Sequence, residues 1–340
     1  MLVIPVFIPH QGCPQNCIFC NQVSISGQES TRCIGDEELV QSTVKTWLGR
    51  SRRRKRVQVA FFGGSFTCLA RERQQSLLAA VQPFIDSGEV RSIRLSTRPD
   101  CIDAEVCKFL KEYHVTTVEI GVQSFDDKVL QAAWRGHSAA DSARAAKSIK
   151  DASLELGIQL MPGLPLETSR SWFATLQQVL ELQPECVRIY PTLVIGGSGL
   201  ARQFKEGIFK PISMNRAIAL CVKAKAMFDS AGIKILRMGL QASESLEEQL
   251  LAGPYHPAFG EMVTARHWLQ RCRKLLVDVP EQGRIVFTIS DRDISAFVGP
   301  RRCNMRRLEI IMQQDSYRNK SFTLETDATL ARGTLKYVIA

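Results

Sequence analysis

The sequence predicts an α/β protein, a partial (β/α)6 barrel of the TIM type that carries a small C-terminal α+β appendage. Short apolar runs typical of buried strands alternate with helical patterns over about the first 250 residues, which indicates βαβ units and a parallel sheet. After about residue 250 this alternation stops. No apolar run reaches the roughly 18 residues that a membrane-spanning helix needs, so we expect no membrane segment.

Each predicted strand of the barrel is a short apolar segment, and helices fill the intervals. The strands are predicted at Leu2–Ile8, Val57–Phe62, Ser92–Leu95, Val115–Gly121, Ile158–Met161, Cys186–Tyr190 and Ile233–Leu236. The helices are predicted at 35–48, 71–85, 104–113, 139–156, 172–182 and 215–230. Gly157 is interpreted as the end of the helix over 139–156, because glycine commonly terminates helices.

The chain is expected to form two domains, a barrel over residues 1–250 and an appendage over 251–340 that closes it. Within the appendage, a helix is predicted over Ala258–Leu276. Strands are predicted at Ile285–Ile289, Arg307–Met312 and Leu335–Ile339. In barrels of this kind the functional residues lie at the carboxyl ends of the strands, and the motifs described below follow predicted strands.

Three cysteines follow the first strand with a spacing of three residues and then two: Cys13, Cys17 and Cys20. A loop of this kind can place three thiolates around one corner of a [4Fe–4S] cluster. The fourth iron would keep an open coordination position, as metal sites that do chemistry have. Together with His10, the same thiolates would also make a common structural zinc site, so both metals remain open at this point.

The other eight of the eleven cysteines are scattered without the spacing of a metal site: Cys33, Cys68, Cys101, Cys107, Cys186, Cys221, Cys272 and Cys303. The first residues contain neither a basic segment nor a small-residue cleavage site, so no secretory signal is predicted. We therefore expect a cytoplasmic protein whose remaining cysteines are ordinary buried thiols.

The chain is basic, with 44 Lys and Arg against 34 Asp and Glu and a net charge of +10. An excess of this size suggests a polyanionic partner. Part of it comes from the run Arg50–Arg56, which is typical of a solvated loop between a helix and a strand; contact with nucleic acid is the alternative.

Further motifs follow the later strands. Gly63, Gly64 and Ser65 follow the second strand, where two glycines let a ligand approach the backbone closely. The other motifs, in chain order, are Thr97–Asp100, Gly121–Asp126, Arg135–His137, Met161–Pro165 and Tyr190–Leu200.

In this order the motifs resemble those of the radical S-adenosylmethionine enzymes, whose cysteine signature also has an aromatic residue, here Phe19, before the last cysteine. The resemblance implies a [4Fe–4S] cluster held by Cys13, Cys17 and Cys20. It also implies that the open iron chelates S-adenosylmethionine, which an electron from the cluster cleaves to a 5′-deoxyadenosyl radical.

The same resemblance implies roles for individual residues. The glycine motif would hold the methionine amino group, Gln123 the ribose, and Arg135 the carboxylate, which suits a guanidinium. Without this context, Arg135 would be interpreted as a surface arginine at a helix end. The cofactor contacts implied for the remaining motifs are Phe19, Gly63, Gly64, Ser65, Ser96, Met161, Gly163 and Pro191.

Two groups within the superfamily are most similar in these motifs. The segment Tyr190–Leu200 resembles the catalytic subunit of Elongator, the enzyme that modifies wobble uridines of tRNA. The cysteine spacing instead resembles that of the oxygen-independent coproporphyrinogen III oxidases. Ser96 stands where Elongator usually has glutamate, and residues 251–340 carry no recognisable acetyltransferase pattern. The complete Elongator reaction is therefore not predicted.

The stretch Pro254–Glu261 resembles stand-alone bacterial relatives of the Elongator core. Its polar side chains Tyr255, His256 and Glu261 are candidate catalytic residues, as proton donors or substrate contacts. The alternative is a helix-capping turn with a packed tyrosine.

We expect an enzyme that cleaves S-adenosylmethionine, with RNA, specifically tRNA, as the leading substrate and a flavodoxin or ferredoxin as electron donor. A small metabolite resembling a porphyrinogen is the second hypothesis for the substrate. A non-catalytic iron–sulfur module that senses redox state or binds a partner is the third. The sequence carries no signal for an oligomeric state.

Overall fold

A computed structural model describes residues 2–8, 13, 17–21, 35–50, 56–277, 283–314 and 321–339. The chain divides into two compact units. The first comprises Met1–Ala217 and Met227–Pro257, and the second comprises Ile218–Ala226 and Ala258–Ala340. None of the helices in the described ranges is long and apolar enough to cross a membrane.

The first unit is built on a sheet of seven parallel strands, in which neighbours follow chain order. The strands are β1 (Leu2–Phe7), β2 (Val57–Phe62), β3 (Ser92–Thr97), β4 (Val115–Gln123), β5 (Glu155–Leu160), β6 (Cys186–Ile189) and, after a short β7 (Val194–Ile195), β8 (Lys234–Met238). Strand β7 pairs antiparallel with β9 (Leu250–Ala252). The sheet is a curled half-barrel, which confirms the predicted fold class.

Helices lie in all six connections between the strands of this sheet. They are α1 (Asp36–Arg50), α2 (Arg71–Ala79), α3 (Gln82–Asp86), α4 (Ala104–Glu112), α5 (Asp127–Ala132), α6 (Ala139–Asp151), α7 (Ser169–Leu182), α8 (Gly199–Lys205), α9 (Met214–Ser230) and, after β8, α10 (Glu244–Gln249). Capping boxes begin two of the longer helices, where the side chains of Ser138 and Thr168 accept hydrogen bonds from the backbone three residues on.

The interpretation of Gly157 as a helix end is wrong. Helix α6 ends at Asp151, and Gly157 lies inside β5. A Cβ atom at this position would lie 2.7 Å from Cγ of Glu119, on the neighbouring strand β4. The glycine therefore makes room for a buried glutamate, a requirement that becomes visible only when β4 and β5 are known to pair.

The second unit is an α+β fold with its own core. Its sheet has β10 (Arg284–Ile289) in the centre, β11 (Ser321–Thr326) parallel on one side and β12 (Leu335–Ile339) antiparallel on the other. The helices of this unit are the middle of α9, α11 (Phe259–Leu276), α12 (Ile294–Val298) and α13 (Cys303–Met312). The largest core side chains are Trp268, Phe287 and Phe297.

The strand predicted over Arg307–Met312 is wrong, because these residues form the second half of α13. Asn304, in the first turn of that helix, is buried and donates hydrogen bonds to the carbonyls of Ala265 and Phe297 at 2.7 and 2.8 Å. Leu308, one turn later, is buried in the core of the unit. A helical spacing of core contacts therefore overrides the short apolar run that suggested a strand.

Candidate active site

The backbone between Cys17 and Cys20 is anchored to two helices of the first unit. The amide of Ile18 donates to the carbonyl of Ala133 after α5 at 3.1 Å, and the carbonyl of Ile18 accepts from Leu200 in α8 at 2.6 Å. Phe19 is half-buried and packs against the apolar cluster that contains Ile18. His10 and residues 14–16 lie outside the described residues.

Arg135 is buried, with 6% of its surface exposed, so it is not a surface arginine at a helix end. Its Nη1 donates to Sγ of Cys17 at 3.1 Å, and its Nη2 donates to the carbonyl of Gly121 at 2.5 Å. The side chain implied as a carboxylate ligand therefore touches one of the three cysteines of the motif.

Arg98 contacts Arg135 and is a candidate site residue for which no role is predicted from the sequence. Its Nη2 donates to the carbonyl of Arg135 at 2.6 Å, and it forms a two-point ion pair with Asp100 at 2.8 and 2.9 Å. Burial opposes the charge of Arg98. The hydrogen bond and negative charge of Asp100 outweigh this effect, together with the charges of the nearby Cys17 and Cys13, so the pKa of Arg98 is raised. The guanidinium therefore stays charged beside the cysteine loop.

His137 follows in the same motif and is also buried. One ring nitrogen, Nε2, lies 3.3 Å from the carbonyl of Val122. Burial, followed by the positive charge of Arg135, lowers the pKa of His137 to about 4. The imidazole is therefore neutral at physiological pH, and it adds no further positive charge near Arg135 and Arg98.

Gln123 ends β4 in a left-handed conformation, with φ of 69°, which is uncommon for a residue other than glycine and is typical of functional positions. Its side-chain oxygen accepts from Nε2 of Gln159 at 3.2 Å, and its carbonyl accepts from the amide of Met161 at 3.1 Å. Gln159, on β5, is a candidate site residue that was not predicted from the sequence. Its position among apolar strand residues is the signal that could have identified it.

The glycine motif lies next to the start of the cysteine loop. The amide of Ile8 donates to the carbonyl of Phe62 at 2.8 Å, and Gly63 follows with φ of 88°. Gly64 is half-buried and Ser65 is buried. The ends of β1 and β2 therefore lie side by side, so the glycine motif begins beside Ile8. Residues 9–12, which lead from there to Cys13, lie outside the described residues.

The two loops after β5 and β6 are joined to each other. The amide of Thr192, which follows the buried Pro191, donates to the carbonyl of Pro162 at 2.9 Å. Gly163 has φ of 91°, and its amide donates to Oε2 of Glu167 at 2.5 Å. Burial raises the pKa of Glu167 to about 8. The two loops are therefore held in one arrangement around a carboxyl that is largely protonated at neutral pH.

A network of buried and half-buried charges, which was not predicted from the sequence, lies in the sheet that carries these loops. Glu119 on β4 pairs with Arg188 on β6 at 2.5 Å and with Arg94 on β3 at 3.4 Å. Arg188 also lies 5.4 Å from the ring centroid of Phe62 on β2. Since β2 and β6 are four strands apart in the sheet order, Arg188 reaches across the concave side of the half-barrel.

The structure places the remaining predicted residues as follows. Ser96 is half-buried on β3, in register with Glu119. Tyr255 is half-buried, and its hydroxyl donates to Oε1 of Glu247 at 2.6 Å; burial and this carboxylate raise the pKa of Tyr255 to about 12. His256 is exposed in the first unit, and Glu261 is exposed in the first turn of α11 in the second unit.

Comparison with protein families identifies the chain. The model of the Radical SAM superfamily matches residues 7–179, and the model of the Radical_SAM C-terminal domain matches residues 184–271. The chain belongs to the radical SAM superfamily. This membership makes it an enzyme of the radical SAM type, and it favours iron over zinc at the three cysteines.

Several known proteins are similar to this radical SAM enzyme. It is 35% identical over 162 residues to a tRNA uridine(34) acetyltransferase of Methanocaldococcus infernus, which covers 46% of this chain and 30% of that protein. It is 26% identical over 203 residues to Protein YhcC of Escherichia coli, covering 58% of this chain and 63% of that protein. The chain thus spans less than two thirds of the length of these relatives.

Solved structures share the fold. The archaeal Methanocaldococcus infernus Elp3 with an N-terminal deletion superposes with a TM-score of 0.62 at 22% identity, covering 80% of this chain and 63% of that one. Coproporphyrinogen III oxidase (HemN) from Escherichia coli gives a TM-score of 0.52 at 19% identity, covering 68% and 52%. Both likenesses support the half-barrel assignment.

The residues of the site fit the [4Fe–4S] cluster and S-adenosylmethionine that the superfamily implies. None of the three cysteines of the motif is in a disulfide. Nη1 of Arg98 and Nε of Arg135 are buried donors that lack a partner within the described ranges, as expected beside an anionic ligand. Among the described residues no three Cys, His, Asp or Glu side chains converge as a metal site, so the gathering of the three thiolates stays a prediction.

We expect Gly121→Ala to weaken binding of S-adenosylmethionine without unfolding the protein. The added Cβ would lie 2.9 Å from Nε2 of Gln123 and 3.3 Å from Nη2 of Arg135. Both atoms end flexible side chains, which would move aside and leave their positions in the site. Equilibrium dialysis with labelled S-adenosylmethionine should show roughly tenfold weaker binding, equivalent to about 1.4 kcal/mol.

Gly49→Ala is the matched control, because a Cβ at Gly49 meets no atom within 4 Å. Equal affinities of the two variants would contradict the assignment of Gln123 and Arg135 to the cofactor.

Proposed function

We propose that this radical SAM enzyme acts on RNA, with tRNA as the leading substrate. The observation that carries the proposal is the 35% identity to a protein named tRNA uridine(34) acetyltransferase. Because the chain covers only 30% of that protein, acetyl transfer is not part of the proposal. What is proposed is radical chemistry on RNA, started in the half-barrel.

The following roles are proposed for the residues of the first unit. Cys13, Cys17 and Cys20 would hold the cluster, and Arg135, fixed by Arg98, would face the cofactor carboxylate. Gln123 and Gln159 would contact the ribose, and the backbone of the glycine motif would hold the amino group. When bound, the cluster supplies the electron that cleaves S-adenosylmethionine. Tyr255 and His256 of the same unit, and Glu261 of the second unit, are each proposed as a proton donor or substrate contact.

The distribution of charge supports a polyanionic substrate. Within the sequence ranges of the second unit there are 16 Lys and Arg against 9 Asp and Glu, so this unit holds +7 of the net charge of +10. The pKa of Arg266 is lowered, mainly by its burial and then by the positive charges of Arg307 and Arg273. These three arginines thus lie near one another without an ion pair to any carboxylate in the described part of the chain. Phosphates would relieve their mutual repulsion.

The test is production of 5′-deoxyadenosine by the anaerobically reconstituted, dithionite-reduced protein, with and without bulk tRNA. An increase with tRNA would support the proposal. If production does not change with tRNA but rises with a porphyrinogen, the substrate is a small metabolite and not RNA. No production from a protein with a full cluster would contradict catalysis and favour a binding module. A flavodoxin or ferredoxin is proposed as the natural donor, in the cytoplasm.

We expect the double variant Arg273→Glu, Arg307→Glu to bind tRNA more weakly and with a smaller dependence on salt. Both side chains are exposed, on α11 and α13. Losing two phosphate contacts should reduce the slope of log affinity against log salt by about two. Lys108→Glu, an exposed position on α4 in the first unit, is the control for a change of charge. An unchanged slope in the double variant would exclude this surface as the RNA contact.

A further inference from the structure

The loops that follow β2 and β3 are joined by a disulfide between Cys68 and Cys101, with Cα atoms 5.4 Å apart. This corrects the expectation that both cysteines are buried thiols. Cys107, Cys186, Cys221 and Cys272 are indeed buried thiols, Cys303 is a half-buried thiol, and Cys33 lies outside the described residues. Cys68 and Cys101 are both half-buried, so neither residue is enclosed in the core.

The disulfide connects two cofactor motifs. Cys68 closes a single 3-10 turn, and its amide donates to the carbonyl of Ser65 in the glycine motif at 3.1 Å. Cys101 closes a similar turn, and its amide donates to the carbonyl of Arg98 at 3.3 Å. Arg98 in turn holds the carbonyl of Arg135, which contacts Cys17. Each sulfur is thus one turn away from a residue that positions the cofactor.

A second link between the loops would persist if the disulfide were reduced. The hydroxyls of Thr67 and Thr97 are 2.6 Å apart, and the amide of Thr67 donates to Oγ1 of Thr97 at 3.3 Å. Both threonines are buried. Reduction should therefore leave the two loops in contact and increase their freedom to move, rather than unfold the half-barrel.

We propose that Cys68 and Cys101 form a thiol–disulfide exchange site, and that the disulfide orders the two loops for S-adenosylmethionine. Disulfides in reducing compartments are usually transient or redox-sensing, and exposed ones are the labile ones. The reacting partner would be a dithiol, either a small molecule or a redox protein. The proposal rests on the proposed function, because it concerns regulation of the same cofactor site.

The exchange balances without any other reactant. A thiolate of the external dithiol attacks one sulfur of the pair, breaks the Sγ–Sγ bond and forms a mixed disulfide. The second thiolate of the reductant then attacks the reductant's sulfur in the mixed disulfide, which releases the remaining protein sulfur. Two electrons and two protons pass to Cys68 and Cys101, which become thiols, and the external dithiol becomes a disulfide.

The experiment uses the full chain with its cluster reconstituted, equilibrated anaerobically in graded mixtures of oxidised and reduced dithiothreitol. In each mixture the thiols are trapped under denaturing conditions and the peptides containing Cys68 and Cys101 are weighed by mass spectrometry. Affinity for labelled S-adenosylmethionine is measured in parallel by equilibrium dialysis. We expect both cysteines to titrate together and the affinity of the reduced form to be about threefold to tenfold lower.

Variants distinguish an effect of the pair Cys68 and Cys101 from general effects of thiols. The double variant Cys68→Ser, Cys101→Ser should keep the affinity of the reduced protein in every mixture, whereas Cys303→Ser should follow the wild type. If Cys68 and Cys101 are trapped as thiols in every mixture, or if they titrate with no change in affinity, this proposal is overturned while the proposed function stands. Failure to bind S-adenosylmethionine in any mixture, despite a full cluster, would overturn both.

Discussion

Cys17→Ala is expected to abolish cleavage of S-adenosylmethionine, lowering 5′-deoxyadenosine production by at least about 100-fold. A cluster held by three thiolates loses a third of its protein ligands when one is removed, and alanine offers no replacement. Cys17 is also the cysteine that Arg135 contacts, so the variant would leave a buried guanidinium without that partner. The measurement combines iron and sulfide analysis with product detection under reducing, anaerobic conditions.

The matched control for this variant is Cys303→Ala. Cys303 is a half-buried thiol in the second unit, outside the three-cysteine motif. The Cys303→Ala variant should retain the cluster and the activity of the wild type. Full activity of the Cys17 variant would show that the three-cysteine motif is not the site of the chemistry.

Glu119→Ala is expected to destabilise the protein by about 3 to 5 kcal/mol, the usual effect of breaking a buried ion pair from one side. Glu119 is 4% exposed and pairs with both Arg94 and Arg188. Burial opposes the charge of Arg188, and the hydrogen bond and charge of Glu119 raise its pKa above the ordinary value. Without the carboxylate, two guanidinium groups would remain in the half-barrel without their counter-charge.

Urea unfolding measured by circular dichroism tests this prediction. Asp151→Asn is the control, because the ion pair of Asp151 with Lys147 is exposed and should contribute less than about 1 kcal/mol. A loss of stability in the Glu119 variant as small as in this control would show that the network is solvated and does not support the sheet.

The half-barrel and the order of its cofactor loops could be predicted because both depend on local signals. Each strand is a short apolar run, and a glycine, proline or cysteine follows most of them within a few residues, as Gly63 follows β2, Pro99 follows β3 and Pro162 follows β5. Arg135 shows the limit of such signals: the motif suggested its role, but only the fold shows that it is buried against Cys17.

What could not be predicted depends on which strands are neighbours. Cys68 and Cys101 are 33 residues apart, and their pairing requires the loops after β2 and β3 to lie side by side. Glu119 is polar within an apolar run, and its partners Arg94 and Arg188 come from two other strands. Gly157 makes room for Glu119 only through the register of β4 and β5. Each of these features depends on a contact between strands, and such contacts cannot be inferred from the order of residues along the chain.

We propose that Cys13, Cys17 and Cys20 hold a [4Fe–4S] cluster whose open iron binds S-adenosylmethionine. The most direct measurement is the electron paramagnetic resonance spectrum of the reconstituted, dithionite-reduced protein before and after addition of S-adenosylmethionine. We expect the signal of a reduced [4Fe–4S] cluster, and we expect S-adenosylmethionine to change its shape and position. A cluster signal that S-adenosylmethionine leaves unchanged, or a protein that contains zinc and gives no signal, would contradict it.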